Sequence, residues 1–336
     1  VSSARLRTIV AVLGVAVGAF FLWLAVRDAD LDAVWRALKE ADAVDVALAV
    51  GAFGVVYGFQ SARWRRIAVA PRVALARFYE MTVSGIAVNN VLPGRIGDLL
   101  RARWLGIAAR MPGGRAFGSV IIDRACDLAV LVAMLVVGIG AVASSEWLLR
   151  LAAGGTLILV GVSAALLLAR IYVRSRARER RRRGLLRRLA RDTVEMLAEP
   201  VGRRQAATWL GLSLLAWGSW SIAALLIARS LGIELTVPEA VFVSAVLNLG
   251  SAVPSSPGFV GTYEWLGVAS LGLIGIDTEP ALAFTILLHA AWYLPTTVAG
   301  GSSLGVRAAL GLRRRRTDRA TRPAPAEPVS NDAPTS

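Results

Sequence analysis

Hydrophobic positions in this chain come in long runs rather than in alternation. Six mostly apolar stretches, 8–26, 44–62, 119–143, 148–172, 206–228 and 281–304, are separated by polar or charged segments. A helix of about 20 residues crosses roughly 30 Å of hydrocarbon, so each run is long enough to span a bilayer. A soluble domain needs no such set of runs. The pattern predicts an all-α, polytopic membrane bundle with six full spans.

Two further apolar stretches break in the middle. The run from Phe78 to Val88 meets "NNVLPGRIGDLLRARW", residues 89–104. The second reads "SAVLNLGSAVPSSPGFVGTYEW", residues 244–265. Each has a serine, an asparagine four or five residues on, then P-G-x-x-G and a nearby carboxylate. The first copy is Pro93, Gly94, Gly97 and Asp98; the second is Pro257, Gly258, Gly261 and Glu264, with Pro254 in an inserted segment. Proline removes a backbone donor and glycine allows a tight turn, so these six residues and Pro254 are the expected hinges.

Charge then sets orientation. The net charge is +15. In a soluble protein that excess raises nucleic acid as a partner, but here the arginines flank apolar runs and obey the positive-inside rule, so no nucleic acid is expected. Arg5 and Arg7 precede the first run, and the segment 27–43 is acidic. "ARWRRIAVAPRVALAR", "RSRARERRRRGLLRRLAR" and the tail from Arg307 are basic. Both termini are therefore expected in the cytoplasm. The first run is read as a retained helix, because "WLAVRDAD" offers no convincing small-x-small cleavage site. The tail, 307–336, ends in a Pro/Ala-rich segment expected to be disordered.

With these assignments, 78–116 starts and ends on cytoplasmic ground and 240–279 on external ground. Each is expected to be a re-entrant hairpin or a pair of short spans. The chain then reads as one transmembrane domain, 1–306, made of two oppositely oriented halves, about 8–143 and 148–304. Gly/Pro-interrupted segments at matching positions of inverted halves point to a transporter's central site. Broken helices are tolerated in a membrane where protein or water satisfies the freed backbone groups, and the N-terminus of the second half-helix attracts anions.

The candidate substrate-binding residues are Asn90, Arg95, Asp98 and Arg101 on the first break, Asp123, Arg124 and Asp127 in "GSVIIDRACDLAVLVAML", and Glu264 on the second break, with Arg95 and Arg101 expected to hold the phosphate and Asp98, Asp127 and Glu264 to set gating or proton coupling. Asp123 and Asp127 share a helix face. Pairing of one of them with Arg95 or Arg101 is the favoured structural reading. Interfacial placement near the start of the helix, with Arg124 snorkelling, is the competing one. His289 is the single histidine; a packed, hydrogen-bonded role is favoured over proton shuttling. Cys126 is the single cysteine and reads as a small core residue, with no disulfide framework. No Walker string, H-E-x-x-H or nucleophile elbow appears, so no catalytic residue, metal or cofactor is assigned.

Three strings in order, "NNVLPGRIGDLLRARWL", "GSVIIDRACDLAVLV" and "VPSSPGFVGTYEW", resemble the signature blocks of the lysylphosphatidylglycerol synthase transmembrane-region family, also described as flippase-like integral membrane proteins. The likeness runs over roughly residues 8–306. It implies a multi-pass plasma-membrane protein with a lipid-handling cavity. The matching positions are Asn90, Pro93, Gly94, Gly97, Asp98 and Arg101; Asp123, Arg124 and Asp127; and Pro254, Pro257, Gly258, Gly261 and Glu264. Asp98 stands where glutamate is usual, and Phe259 where a further glycine is common. The full synthases carry a soluble aminoacyl-transferase domain, so lipid aminoacylation by this chain alone is not expected.

The function expected is movement of an anionic phospholipid or polyprenyl-phosphate-linked lipid between leaflets. A membrane-embedded lipid-modifying enzyme is one alternative. A non-catalytic membrane partner of a lipid synthase or glycosyltransferase is another.

Overall fold

The computed structural model describes residues 3–92, 95–142, 185–251 and 256–320, and gives backbone alone for 3–13, 185–187, 308 and 310–320. The predicted span 148–172, the hinges Pro93, Gly94 and Pro254, and the end of the tail lie outside the described residues. Every regular element within them is helical: α1 Ser3–Val26, α2 Leu31–Glu40, α3 Ala43–Ile67, α4 Leu75–Val91, α5 Ile96–Ala109, α6 Gly113–Val142, α7 Leu185–Ala198, α8 Arg203–Ser230, α9 Val237–Gly250, α10 Thr262–Gly272 and α11 Thr278–Ala320. A single turn of 3-10 helix, Pro257–Phe259, lies between α9 and α10.

Four of the predicted runs fall in helices long and apolar enough to cross a membrane: Ala43–Ile67, Gly113–Val142, Arg203–Ser230 and Thr278–Arg307. The run 8–26 lies within α1. The acidic segment after it contains a short helix the hydrophobic runs did not announce. Asp30 starts this α2 by accepting from the amides of Asp32 and Ala33, and Asp42 caps α3 through Val44 and Asp45. Side-chain acceptors at these positions satisfy amides that a helix leaves free in its first turn.

Each broken stretch is a helical hairpin. In the first, α4 and α5 pack through glycine: a Cβ on Gly97 would lie 1.9 Å from the Gly85 carbonyl oxygen. The Asn89 side chain accepts from the Gly97 amide at 2.7 Å and closes the turn. In the second, α9 and α10 flank the 3-10 turn, where Gly258 and Gly261 adopt φ of 69° and 91°. Those values belong to glycine.

The helices pack reciprocally. The longest interface joins α3 to α8, which run antiparallel: Asp45 at the start of α3 pairs with Arg229 at the end of α8, and Arg63 reaches Ser213 near the other end. Phe53 meets Trp220 edge-on between them, ring centres 4.8 Å apart. The first arm of each hairpin packs on the long helix after the other hairpin, α4 on α11 and α9 on α6. The second arms, α5 and α10, pack on α6 and α11, the helices that follow them. The short helices match too, α2 lying on α11 and α7 on α6. The apolar core is continuous across α3, α6, α8, α9, α10 and α11.

Candidate functional site

The charged residues singled out from sequence converge on one buried cluster. Asp123 is 1% exposed and Asp127 5%. Helix α6 begins at Gly113, so Asp123 sits about three turns inside it, enclosed by protein. Arg63, fully buried on α3, donates from Nε to Asp123 at 2.9 Å and from Nη1 to Asp127 at 2.8 Å. Arg101, 1% exposed, donates from Nη2 to the other oxygen of Asp123 at 3.1 Å and lies 4.3 Å above the Trp64 ring. Arg124 does not snorkel. It grips Asp98 with Nη2 at 2.7 Å and Nε at 3.2 Å, and approaches Asp127 at 3.5 Å.

Three guanidiniums thus face three carboxylates, and the cluster is neutral. Neutral hydrogen-bonded clusters are the form in which charges persist in a core. Trp217 donates its indole N–H to Asp127 at 3.0 Å, and the Ser213 hydroxyl oxygen accepts from Arg63 Nη1 at 2.7 Å. The cluster ties α3, α5, α6 and α8 together. It bears out the pairing expected between Asp123 and Arg101, and it leaves Arg101 facing carboxylates rather than open space.

Sequence reasoning missed Arg63, which falls in a segment read as a basic orienting loop, and it missed Trp217 and Ser213. A residue pattern carried one usable signal. Arg63 sits four residues before the end of an apolar helix, a place where a charge must either reach the interface or find a partner.

Arg95 stands apart. It caps α5 with φ 54° and ψ 36°, a left-handed conformation that costs a non-glycine residue about 1 kcal/mol. Among the described residues it has no carboxylate partner at ion-pair distance. Its Nη2 donates instead to the Ser251 carbonyl at 3.0 Å, at the end of α9. The guanidinium therefore touches the tip of the other hairpin. Around it Val91, Leu92, Ile96 and Leu99 are exposed.

A second junction joins the tips. Asn90, 2% exposed, donates from its amide to Thr297 at 2.8 Å on α11, and its carbonyl accepts from the Tyr293 hydroxyl at 3.3 Å. Gly258 lies so close that an added Cβ would be 2.6 Å from the Tyr293 ring and 3.2 Å from the Asn90 oxygen. Glu264 and His289 sit behind this turn. Glu264 Oε2 accepts from the Gly261 amide at 2.5 Å, and Oε1 meets His289 Nδ1 at 2.6 Å. His289 stacks on Trp292, ring centres 5.2 Å apart. The packed, hydrogen-bonded role expected for His289 agrees with this geometry. No group of three or more metal-ligating side chains occurs among the described residues.

Two relatives share long stretches of this sequence. One is "Glycosyltransferase AglD" of Haloferax volcanii, 29% identical over 262 residues, which cover 66% of this chain and 42% of that protein. The chain thus spans less than half the length of that relative. The other is a "UPF0104 membrane protein" of Methanothermobacter thermautotrophicus, 25% identical over 279 residues, which cover 75% of this chain and 82% of that protein. Residues 11–300 match the family described as the lysylphosphatidylglycerol synthase TM region. The chain belongs to that family.

Proposed function

We propose that this member of the lysylphosphatidylglycerol synthase TM region family moves a phosphate-bearing lipid between leaflets, along the junction of its two hairpins. Arg95 carries the reading. It is a guanidinium held in a strained backbone conformation, without a carboxylate at ion-pair distance among the described residues, on a segment whose Val91, Leu92, Ile96 and Leu99 are exposed, and bonded to the end of α9 in the other hairpin. A phosphate beside hydrocarbon chains matches both halves of that environment. Asn90, Arg101, Asp98, Asp123, Arg124 and Asp127 are assigned the support of that tip, and Glu264 the support of the other.

Two further observations favour a transporter architecture. The reciprocal packing of α4 on α11 and α9 on α6 is what two inverted halves would produce. From Glu80, which pairs with Arg307 near the end of the last span, α4 runs ten residues to Asn90, or about 15 Å. That is half of a 30 Å hydrocarbon layer, so the first hairpin is assigned a turn near the bilayer midplane rather than a crossing. By the positive-inside rule both termini face the cytoplasm, and the membrane is assigned as the plasma membrane.

The test is leaflet exchange in reconstituted vesicles, with fluorescent phosphatidylglycerol and a polyprenyl phosphate as separate probes. Exchange of at least one probe is expected for the native chain, and Arg95→Gln should reduce it at least tenfold with unchanged folding. Exchange insensitive to Arg95→Gln, or none with either probe, overturns the reading.

A second reading rests on the first relative, whose name is that of a glycosyltransferase. In it the chain is the membrane module beside which a lipid-linked sugar is made. Stable co-purification with such an enzyme, without exchange by the isolated chain, would favour it.

A further inference from the structure

We propose that Glu264 and His289 form a proton-binding site and that its occupancy locks the turn of the second hairpin against the first. The geometry of the imidazole carries this. His289 Nε2 lies 2.9 Å from the Gly258 carbonyl oxygen, and Nδ1 lies 2.6 Å from Glu264 Oε1. A carbonyl oxygen has only lone pairs, and an ionised carboxylate likewise accepts only. A neutral imidazole has one N–H. With Glu264 ionised and His289 neutral, one of the two contacts would set lone pair against lone pair.

Both contacts therefore need one more proton. Nε2–H donates to Gly258, and a second proton lies between Nδ1 and Oε1. The pair is neutral as a whole whichever atom holds that proton, which suits a site where both side chains are 7% exposed. No other ion pair reaches either residue among the described residues. The other ionisable groups in its surroundings are Tyr263 on α10, Tyr57 on α3 and Tyr293 on α11. From α4 the facing group is the uncharged Asn90.

Removing the proton has a defined mechanical consequence. Glu264 Oε2 holds the Gly261 amide and His289 holds the Gly258 carbonyl, so the pair clasps both ends of the 258–261 turn. Deprotonation leaves a carboxylate that still accepts from Gly261 and a neutral ring with one N–H, which can donate to Gly258 or to Glu264 but not to both, so the link joining the two clasps is broken. Gly258 packs on Tyr293, whose hydroxyl binds the Asn90 carbonyl at the end of α4. Loosening the turn thus loosens the contact between hairpins. Protonation favours the joined tips, and loss of the proton as pH rises favours their separation. The inference borrows from the proposed lipid movement only its purpose; proton occupancy is measurable without lipid exchange.

His289 is the single histidine in the sequence, so histidine-selective 15N labelling gives one imidazole to observe. At pH 7.5 a free imidazole is roughly nine-tenths neutral. The native chain in lipid nanodiscs is expected to show Nε2 protonated and the Nδ1 resonance displaced from that of a bare ring nitrogen, by a bound or shared proton. This signature should disappear in one step at higher pH. Glu264→Gln supplies an amide N–H to Nδ1 and cannot lose it, so it should hold the Nε2–H tautomer at every pH tested. A native imidazole with a bare ring nitrogen at pH 7.5, or with Nε2 unprotonated, overturns the proposal whether or not the variant folds. In the vesicle assay, exchange that varies with pH in the native chain and not in Glu264→Gln would assign the site to transport. If no exchange occurs at all, the transport reading fails while the imidazole spectrum still decides the proton site.

Discussion

The neutral cluster makes a quantitative prediction about Arg63. Replacing it with methionine keeps most of the side-chain volume and removes the charge. The change strips the Nε contact from Asp123 and the Nη1 contact from Asp127, at 2.9 and 2.8 Å. At an effective dielectric of about 20, a unit-charge contact near 3 Å carries roughly 5 kcal/mol of gross attraction. Much of that is offset by the desolvation of Arg63, whose side chain has no exposed surface. What remains after the deletion is an excess carboxylate in a core, and breaking a buried pair in this way costs about 3–5 kcal/mol. Asp123→Asn inverts the imbalance, leaving Arg63 and Arg101 short of a partner, and a similar loss is expected. The double variant restores charge balance, so its loss should fall short of the summed single losses by about 1–3 kcal/mol. Reversible unfolding in mixed micelles, read by tryptophan fluorescence, measures all four proteins. Additivity within about 0.5 kcal/mol would refute the idea that these charges act as one neutral unit.

Other predictions follow from single contacts. Arg95→Gly should stabilise the fold by about 1 kcal/mol by removing the left-handed strain while abolishing lipid exchange, measured by unfolding and by vesicle assay on the same preparation. Gly97→Ala places a methyl group against the Gly85 carbonyl and should destabilise by about 1–3 kcal/mol, seen as a lowered unfolding midpoint. Arg27→Gln breaks an exposed pair with Asp28 and should change stability by less than about 1 kcal/mol in the same assay. In a Cys126→Ala background, cysteine at Asp32 should react with an impermeant reagent from outside intact cells, and cysteine at Arg72 only after permeabilisation.

Much of this protein was legible in its sequence because the relevant physics is local. Long apolar runs announce helices whatever surrounds them, since hydrocarbon leaves the backbone no partner but itself. Asp42 and Asp30 cap helices through amides two and three residues away. Gly258 and Gly261 mark a turn because few other residues adopt those angles without strain, whereas Gly97 is helical and lets α5 approach Gly85 on α4.

Partner choice is another matter. Arg63 looked like one more cation in a basic segment, yet it bonds residues 60 and 150 positions away. The sequence left open which of Arg95 and Arg101 would pair with an aspartate; Arg101 closes on Asp123 and Trp64, while Arg95, three residues from Asp98, reaches the opposite hairpin. His289 and Glu264 are 25 residues apart, on different helices, and their shared proton becomes visible only when both nitrogens of the ring are seen to face acceptors. Apolar length and glycine position are properties of a segment. Neutralisation of a buried charge is a property of the space around it, and that space is assembled from helices the local sequence does not know.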